Sequence, residues 1–315
     1  MNAQADKAPA GRGVLSPVDS QSELAGLMAR QTKATGSNAI RVGLVGRGIG
    51  ASLTPIMHQR EGARLGLEYD YMLIDFDTLG LENSDLALVI EQAREAGFAG
   101  LNVTYPFKQQ ALALLDEISP DAAGIGAVNT IVFENGHTVG HNTDCWGFAE
   151  SFRRNMGEVP REKVLQLGAG GAGAAVAQAL LGLGVGRLVV FDVDESRAVA
   201  LRDTLEGQFP GQVFLAADLQ SAVRAAQGIV NTTPVGMAKL PGTPLDPRTL
   251  DPAQWVADII YFPRETQLLI AARERGCRVL SGGGMAIFQA VRAFELFSGR
   301  TPDPLEMART FKAEA

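Results

Sequence analysis

The chain has 315 residues, of which 46% are hydrophobic and 20% are charged, which is ordinary for a soluble globular protein of about two domains. Its net charge of −7 argues against nucleic acid and anionic membrane surfaces as partners, but not against a small anionic substrate. The two cysteines, Cys145 and Cys277, lie far apart, so neither a disulfide framework nor a metal site is expected. No apolar run has the roughly 18 residues of a membrane span, and we expect a cytoplasmic protein.

The first unit alternates predicted strands and helices, after a tail over 1–37 that we expect to be disordered. The tail is rich in Ala, Gln, Ser and Gly and contains no apolar signal segment. Pro55 favours the first turn of a helix, for which Thr54 is a candidate N-cap. The pair Asn135-Gly136 predicts a hairpin turn. Strands are predicted at 39–45, 69–75, 100–104, 130–133 and 138–140, and helices after Pro55 and at 86–96 and 108–118.

A second unit begins near Lys163 and contains a glycine-rich turn between a strand and a helix. In that context the pattern Gly-x-Gly-x-x-Gly predicts a dinucleotide-binding site. The first glycine permits the tight turn, the second lets the backbone approach the pyrophosphate, and the third lets the helix pack on the strand. The candidate cofactor residues of the turn are Gly168, Ala169, Gly170, Gly171, Ala172 and Gly173. The unit has predicted strands at 164–167, 187–191, 228–231, 255–260 and 277–280, and helices at 174–183 and 196–206. A last helix is predicted at 285–298, and we expect it to pack back on the first unit.

Asp192 ends the strand that follows the glycine-rich turn. A carboxylate at this place can accept hydrogen bonds from the ribose hydroxyls and would repel a 2′-phosphate, which predicts NAD rather than NADP. The alternative is that Asp192 only caps the next helix. Arg197 could offset the repulsion, although we expect its side chain to point to solvent.

Lys108 and Asp144 are the candidate catalytic pair. Each lies among small hydroxyl and amide side chains, in the segments Asn102-Val-Thr-Tyr-Pro-Phe-Lys108 and His141-Asn-Thr-Asp144. Oxidation of an alcohol beside a nicotinamide needs a base that takes the hydroxyl proton as the hydride leaves. Either residue, or the two together, could take that proton, and a surface salt bridge is the alternative. His58 is interpreted as a structural helix residue.

These features together resemble the shikimate/quinate dehydrogenase family. The resemblance covers about 42–299, nearly the whole chain without the tail. The motifs that carry it are Ser52-Leu-Thr-Pro-Ile-Met-His58, Asn102-Val-Thr-Tyr-Pro-Phe-Lys108, Ala127-Val-Asn-Thr130, Asn142-Thr-Asp144, Gly168 to Gly173, Asn231-Thr-Thr-Pro-Val-Gly-Met237, Asp258-Ile-Ile-Tyr261 and Gln289.

The resemblance implies an α/β protein of two domains with the active site in the cleft between them. An N-terminal substrate domain would cover 38–147, completed by C-terminal helices over 285–315, and a Rossmann-like NAD domain would cover 148–284. The implied substrate is a polyhydroxy ring carboxylate. Besides Lys108 and Asp144, the implied site residues are Ser52, Thr54 and Tyr261 at the carboxylate, Thr104, Asn129 and Gln289 at the ring hydroxyls, and Thr232, Ile259 and Gly282 along the nicotinamide.

Departures from the biosynthetic shikimate dehydrogenase pattern resemble the NAD-dependent quinate/shikimate branch. Thr54 replaces a serine, Tyr105 replaces Val or Leu, and Asp192-Val-Asp194 replaces the Asn-Arg-Thr type of segment that accompanies NADP. We therefore expect NAD-dependent oxidation of quinate, shikimate or both to the 3-dehydro ketone. The alternatives are an NADP-linked shikimate dehydrogenase, an aminoshikimate dehydrogenase and, from another class, a non-catalytic sensor of dinucleotide or quinate. A homodimer is one assembly that this interpretation allows.

Overall fold

The computed structural model describes residues 39–314 together with Gly26, so the predicted tail lies, apart from that residue, outside the described residues. Residues 39–314 are organised around two six-stranded sheets. No helix in this described part is long and apolar enough to cross a membrane. The predicted α/β class is thus confirmed by the described backbone.

The first sheet lies in the N-terminal half of the chain. Its strands are β1 (Ile40–Gly46), β2 (Tyr69–Asp75), β3 (Gly100–Val103), β4 (Glu117–Ile118), β5 (Thr130–Glu134) and β6 (His137–His141). They are arranged in the order β2-β1-β3-β5-β6-β4, and β1 is parallel to both of its neighbours. The strands β5 and β6 form an antiparallel hairpin whose turn residues, Asn135 and Gly136, have φ of 51° and 82°. The predicted hairpin is confirmed.

Helices cover the first sheet and lead out of it. They are α1 (Thr54–Arg64), α2 (Phe76–Leu79), α3 (Leu86–Glu95), α4 (Pro120–Ile125) and α5 (Thr143–Met156). Pro55 lies in the first turn of α1, as predicted, but the prediction of Thr54 as the N-cap is wrong. Leu53 occupies the cap position, and Thr54 is already the first helical residue. The hydroxyl of Thr54 is therefore not used as a cap.

The predicted helix over 108–118 is wrong beyond its first turns. A short 3-10 helix covers Gln110–Leu114, and the chain then becomes extended and forms β4. The cause is Asp116, whose carboxylate accepts the Thr138 N–H at 2.8 Å and the Thr138 hydroxyl at 2.9 Å. These bonds lower the pKa of Asp116 and attach the segment to β6, a partner that no local pattern shows.

The second sheet is wholly parallel. Its strands are β7 (Lys163–Leu167), β8 (Arg187–Phe191), β9 (Val213–Leu215), β10 (Gly228–Asn231), β11 (Trp255–Asp258) and β12 (Arg278–Ser281). The order is β9-β8-β7-β10-β11-β12, which is that of a dinucleotide-binding sheet. Such sheets bind ligands beyond the carboxyl ends of the strands where the order reverses, here between β7 and β10. The connecting helices are α6 (Gly171–Gly182), α7 (Glu195–Glu206), α8 (Leu219–Ala225) and α9 (Gln267–Glu274).

The last two helices return to the first sheet, as the sequence predicts. They are α10 (Gly283–Ser298) and α11 (Pro304–Glu314). Phe288, Val291 and Phe294 of α10 form one apolar cluster with Met57 of α1. The first unit is therefore completed by two helices that follow the second unit in the chain.

His58 is a structural residue at the centre of this region. Its side chain is fully buried, its Nδ1 lies 2.9 Å from the Tyr69 hydroxyl, and its ring contacts the ring of Phe294 edge-on. Burial lowers the pKa of His58 from 6.5 to about 3, because the charged form would lose its hydration. His58 is therefore neutral in the folded protein at neutral pH.

This burial predicts a specific acid sensitivity. Between pH 6.5 and about 3 the unfolded chain binds a proton at His58 that the folded chain does not. Above pH 6.5 the neutral His58 does not reduce the free energy of unfolding. As the pH falls from 6.5 to about 3, this free energy decreases by about 1.4 kcal/mol per pH unit. Urea unfolding as a function of pH should show this slope reduced in His58→Gln and kept in His137→Gln, which changes an exposed histidine. Equal slopes in both variants would contradict the assignment.

Candidate active site

Lys108 and Asp144 meet in the folded chain although they are far apart in sequence. Lys108 follows the turn after β3, and Asp144 lies in the first turn of α5. The Lys108 Nζ lies 2.5 Å from the Asp144 Oδ2, and the two side chains are only 19% and 9% exposed. The pair is thus largely withdrawn from solvent, and the alternative of a surface salt bridge is excluded.

The carboxylate of Asp144 is positioned by the N-terminus of α5. Asn142 is the N-cap, and its Oδ1 accepts hydrogen bonds from the Asp144 and Cys145 N–H groups at 3.1 and 3.2 Å. Its Nδ2 donates to the Ala127 carbonyl at 2.9 Å, which joins the cap to the segment before β5. A helix N-terminus favours a negative charge. Asn142 was not among the predicted site residues, although an Asn before a helix is a recognisable cap signal.

Asn129 lies within a buried polar network beside the catalytic pair. Its Oδ1 accepts the Thr143 N–H at 2.7 Å, and its Nδ2 donates to the Thr143 hydroxyl at 3.0 Å. Behind it, the Tyr71 hydroxyl donates to Asn102, whose Nδ2 donates to Thr130. An amide nitrogen has two hydrogens, and this network uses one of those on Asn129.

The residues expected at a substrate carboxylate are partly exposed. The Ser52 Oγ accepts the Thr54 N–H at 3.3 Å at the start of α1. Tyr261 comes from the turn after β11, in the second unit. Burial, and after it the charge of Asp144, raises the pKa of the Tyr261 hydroxyl.

Thr104 and Gln289 come from different elements, the segment after β3 and the helix α10. The methyl group of Thr104, at the end of β3, would lie 2.4 Å from a Cβ on Gly46, so the ends of β1 and β3 are closely packed. Gln289 lies on α10, and its Nε2 donates to the Ala286 carbonyl at 3.0 Å. Both side chains are partly exposed.

The glycine-rich turn has the conformation that its pattern predicts. Gly168 has a φ of 96°, which L side chains rarely adopt, and a Cβ there would lie 2.8 Å from the Thr232 Oγ1. A Cβ on Gly173 would lie 2.7 Å from the Gly168 carbonyl oxygen, so the third glycine permits the close packing of helix and turn. The helix α6 begins at Gly171, with Gly170 as its N-cap.

The turn faces the catalytic lysine. A Cβ on Gly171 would lie 3.8 Å from the Lys108 Cβ, so the start of α6 in the second unit contacts the catalytic segment of the first. Among the described residues, no atom beyond its chain neighbours lies within 4 Å of a Cβ built on Gly170. The backbone at Gly170 is thus open to a ligand, and the helix N-terminus offers N–H groups to a phosphate.

Asp192 contacts the turn rather than capping a helix. Its Oδ2 accepts the Ala169 N–H at 2.7 Å, and its Oδ1 accepts the Asp194 N–H at 2.9 Å. The cap of α7 is Asp194, which accepts the Ser196 N–H, so the capping alternative for Asp192 is wrong. Arg197 pairs with Asp194 at 3.3 Å and is 64% exposed, as expected for a side chain that points to solvent.

The remaining cofactor candidates lie at the carboxyl ends of neighbouring strands. The Thr232 hydroxyl, just after β10, donates to the carbonyls of Leu167 and Gly168 at 2.8 and 2.9 Å. A Cβ on Gly282 would lie 2.1 Å from the Ile259 carbonyl oxygen, so this glycine permits the contact between the turns after β12 and β11. Across residues 39–314 and Gly26, no cluster of His, Cys, Asp and Glu is arranged to hold a metal ion.

Known proteins share both the sequence and the fold of this chain. Residues 44–131 match the family model of the shikimate dehydrogenase substrate binding domain. A shikimate dehydrogenase (NADP(+)) of Streptomyces avermitilis is 51% identical over 269 residues, which are 84% of this chain and 92% of the relative. A quinate/shikimate dehydrogenase (NAD(+)) of Corynebacterium glutamicum is 45% identical over 281 residues, 87% of this chain and 99% of the relative. This chain belongs to the shikimate/quinate dehydrogenase family.

The solved structures agree with this assignment. The structure of quinate dehydrogenase from Corynebacterium glutamicum in complex with NAD superposes with a TM-score of 0.84 at 44% identity, covering 87% of this chain and 99% of that one. The predicted family is confirmed, and this member of the shikimate/quinate dehydrogenase family is an oxidoreductase. The predicted individual site residues gain their support from the contacts described above.

The open space at Gly170 predicts a separation of folding from cofactor binding. Gly170 has φ −77° and ψ −174°, which alanine adopts without strain, so Gly170→Ala should keep the thermal stability. The added methyl group should occupy the pyrophosphate position and raise the Kd of the dinucleotide at least about tenfold, as measured by isothermal titration.

Two further variants make this test specific. Gly182→Ala adds a methyl group to open space at the far end of the same helix and should leave the Kd unchanged. Gly168→Ala should lower the thermal stability as well, because of its φ of 96°. Unweakened binding in Gly170→Ala would contradict the assignment of the turn to the cofactor.

Proposed function

We propose that this protein is an NAD-dependent quinate/shikimate dehydrogenase that oxidises a ring secondary alcohol to the 3-dehydro ketone. The observation that carries the proposal is the contact between Lys108 and Asp144 next to Gly171 of the glycine-rich turn. This arrangement puts a proton acceptor beside the start of the cofactor helix. NAD, when bound, supplies the acceptor for the hydride.

The catalytic pair handles the proton of the reacting hydroxyl. With 2.5 Å between the Lys108 Nζ and the Asp144 Oδ2, a proton received by one group can pass directly to the other. Its low exposure keeps water from competing for the hydroxyl proton. We assign proton removal to the pair, with Asp144 also holding the Lys108 side chain in place.

The remaining side chains suit a polyhydroxy ring carboxylate. We assign the carboxylate to the hydroxyls of Ser52, Thr54 and Tyr261, at the N-terminus of α1, where backbone N–H groups add to the attraction. Thr54 is available for this because it does not cap the helix. We assign the ring hydroxyls to Thr104, Asn129 and Gln289. Short hydroxyl and amide groups both donate and accept, which matches the alcohols of such a ring.

Removal of the lysine tests the catalytic assignment. Lys108→Met keeps most of the side-chain volume and removes the amine, so kcat with quinate and NAD should fall by about 10²–10⁴. The Kd of NAD, measured by titration, should stay within about twofold because the glycine-rich turn is unchanged. Lys312→Met changes an exposed lysine on α11 and serves as the control. An unchanged turnover in Lys108→Met would refute the proposal.

The choice of NAD rests on Asp192. Overall identity does not separate the cofactors, since relatives named for NADP and for NAD lie at 51% and 45%. The Asp192 carboxylate is held against Ala169 of the glycine-rich turn, where it can accept hydrogen bonds from ribose hydroxyls. A 2′-phosphate at that place would face a like charge at short range and would bind poorly. The structure of the NAD complex of quinate dehydrogenase from Corynebacterium glutamicum supports the same choice.

A charge-removing variant tests this assignment. Initial rates with quinate and with shikimate should be higher with NAD than with NADP. Asp192→Asn keeps an oxygen for the Ala169 N–H but removes the repulsion, so kcat/KM for NADP should rise about tenfold or more while that for NAD falls. Asp194→Asn removes the same charge two residues away and keeps the cap of α7, so the preference for NAD should persist. Equal ratios in both variants would count against Asp192 as the selecting group.

The domain boundaries, the assembly and the location belong to the same proposal. We propose a substrate domain over 38–147 with 285–315 and an NAD domain over 148–284. Their support is that the chain leaves the first sheet through α5 and returns to it through α10. A homodimer and a cytoplasmic location accord with the composition and with a small-molecule substrate.

A further inference from the structure

Gln166 is a polar residue in a position where an apolar one would be expected. It lies in β7, two residues before Gly168, and its side chain has no exposed surface. Its strand neighbours Leu165 and Leu167 are buried apolar residues. Burying an amide group is costly unless it forms hydrogen bonds, so the bonds of Gln166 indicate its purpose.

The amide of Gln166 spans the two ends of the glycine-rich turn. Its Nε2 donates to the carbonyl oxygens of Gly168 and Gly173, each at 2.9 Å. Both acceptors are carbonyls, so the nitrogen side of the amide must face them. The Thr232 hydroxyl donates to the same Gly168 oxygen at 2.9 Å.

These contacts fix a single peptide plane. The Gly168 carbonyl and the Ala169 N–H belong to one planar peptide group and point in opposite directions. Gln166 and Thr232 hold the oxygen, and the Asp192 Oδ2 accepts the N–H at 2.7 Å. A rotation of this peptide group would break the contacts on both sides together. Gln166 thereby controls the geometry of Asp192 and of the turn without being exposed to the cofactor.

The other end of the Gln166 amide argues against a purely stabilising role. Its Oε1 is buried and finds no hydrogen-bond partner among the described residues. A leucine would fill a similar volume and remove this unsatisfied oxygen, at the cost of the two hydrogen bonds that the Nε2 donates. The donor side of the amide is therefore what the glutamine contributes.

We propose that Gln166 is a positioning residue of the cofactor site, which sets the affinity for the dinucleotide by holding the Gly168–Ala169 peptide group against Asp192. The inference rests on the proposed function only in taking a dinucleotide as the ligand of the turn. The inference is that Gln166 affects the binding of the dinucleotide and does not affect the binding of quinate.

The test compares two buried glutamines. Gln166→Leu should raise the Kd of NAD and of ADP-ribose, measured by isothermal titration, about tenfold or more. The KM of quinate, and kcat at saturating NAD, should stay within about twofold, because the peptide group acts only on the dinucleotide. The thermal midpoint should change little, since the loss of the two Nε2 hydrogen bonds is offset by removal of the unsatisfied Oε1. Gln178→Leu is the matched control on α6: its Oε1 is also buried without a partner among the described residues, and this variant should leave both Kd values unchanged.

Coupling to Asp192 gives a second, independent measurement. If both residues act through one peptide group, the loss of NAD affinity in Gln166→Leu combined with Asp192→Asn should be smaller than the product of the two single losses. Fully multiplicative losses would overturn the mechanism, and so would equal weakening in Gln166→Leu and Gln178→Leu. An unchanged Kd in Gln166→Leu, or a parallel rise in the KM of quinate with a lower thermal midpoint, would overturn it as well.

The design separates this inference from the proposed function. If Gln166→Leu does not fold, Gln166→Met replaces it, with an unbranched side chain of similar length and the same criteria. A wild type that binds ADP-ribose but oxidises neither quinate nor shikimate would refute the proposed function, while the comparison of the two glutamines would still be decided by titration. A preference for NADP would refute the cofactor choice, and the same comparison would then be made with NADP.

Discussion

The contact between Lys108 and Asp144 is the interaction that the rest of the site serves. Two charges withdrawn from water lose hydration, and their attraction repays little of that loss unless the geometry is fixed. Here the carboxylate is fixed by the Asn142 cap and the α5 N-terminus, and the start of α5 is attached to Asn129 through Thr143. We infer that this pair is retained for chemistry rather than for stability, because stability would be served as well by apolar side chains.

The cofactor site is built on a different physical constraint, the orientation of backbone groups. A glycine with a φ of 96° reverses the chain, and the adjoining carbonyl and N–H are then held by side chains from three separate strand ends. These strands meet where the sheet order reverses between β7 and β10. The position of Asp192 therefore depends on the pairing of β7 with β8 and with β10.

The sequence predicted what depends on local pattern. The glycine-rich turn, the hairpin at Asn135-Gly136 and most strands were predictable because each follows from neighbouring residues. The predictions that failed concern segments whose structure depends on residues elsewhere in the chain. The helix predicted through Ile118 gives way to a strand because Asp116 binds Thr138, and the N-cap predicted at Thr54 is occupied by Leu53. The choice between two such local structures cannot be made from the sequence of one segment alone.

Residues that act through others were the least predictable part of the site. A single buried glutamine in an apolar strand has no sequence signature, and the role of Gln166 is visible only once Gly168 and Gly173 are placed. The same holds for the Tyr71–Asn102 contact behind Asn129. The catalytic pair was predictable because each member lies in a motif of its own, and the resemblance to a family joined the two motifs.

The helices α5 and α10 pack against each other and link the two sheets. At Gly147 they approach so closely that a Cβ would lie 2.7 Å from the Gln289 backbone nitrogen and 2.9 Å from the Met285 carbonyl oxygen. Asp144 lies one turn before Gly147 on α5, so the distance between the catalytic carboxylate and Gln289 is set by contact between the two helix backbones. The same helices carry the chain from the first sheet to the second and back. Because interiors are close-packed, one helix cannot shift here without the other, and any relative motion of the two sheets must leave this pair intact. We infer that Asp144 and Gln289 keep a constant distance if the two sheets move relative to each other.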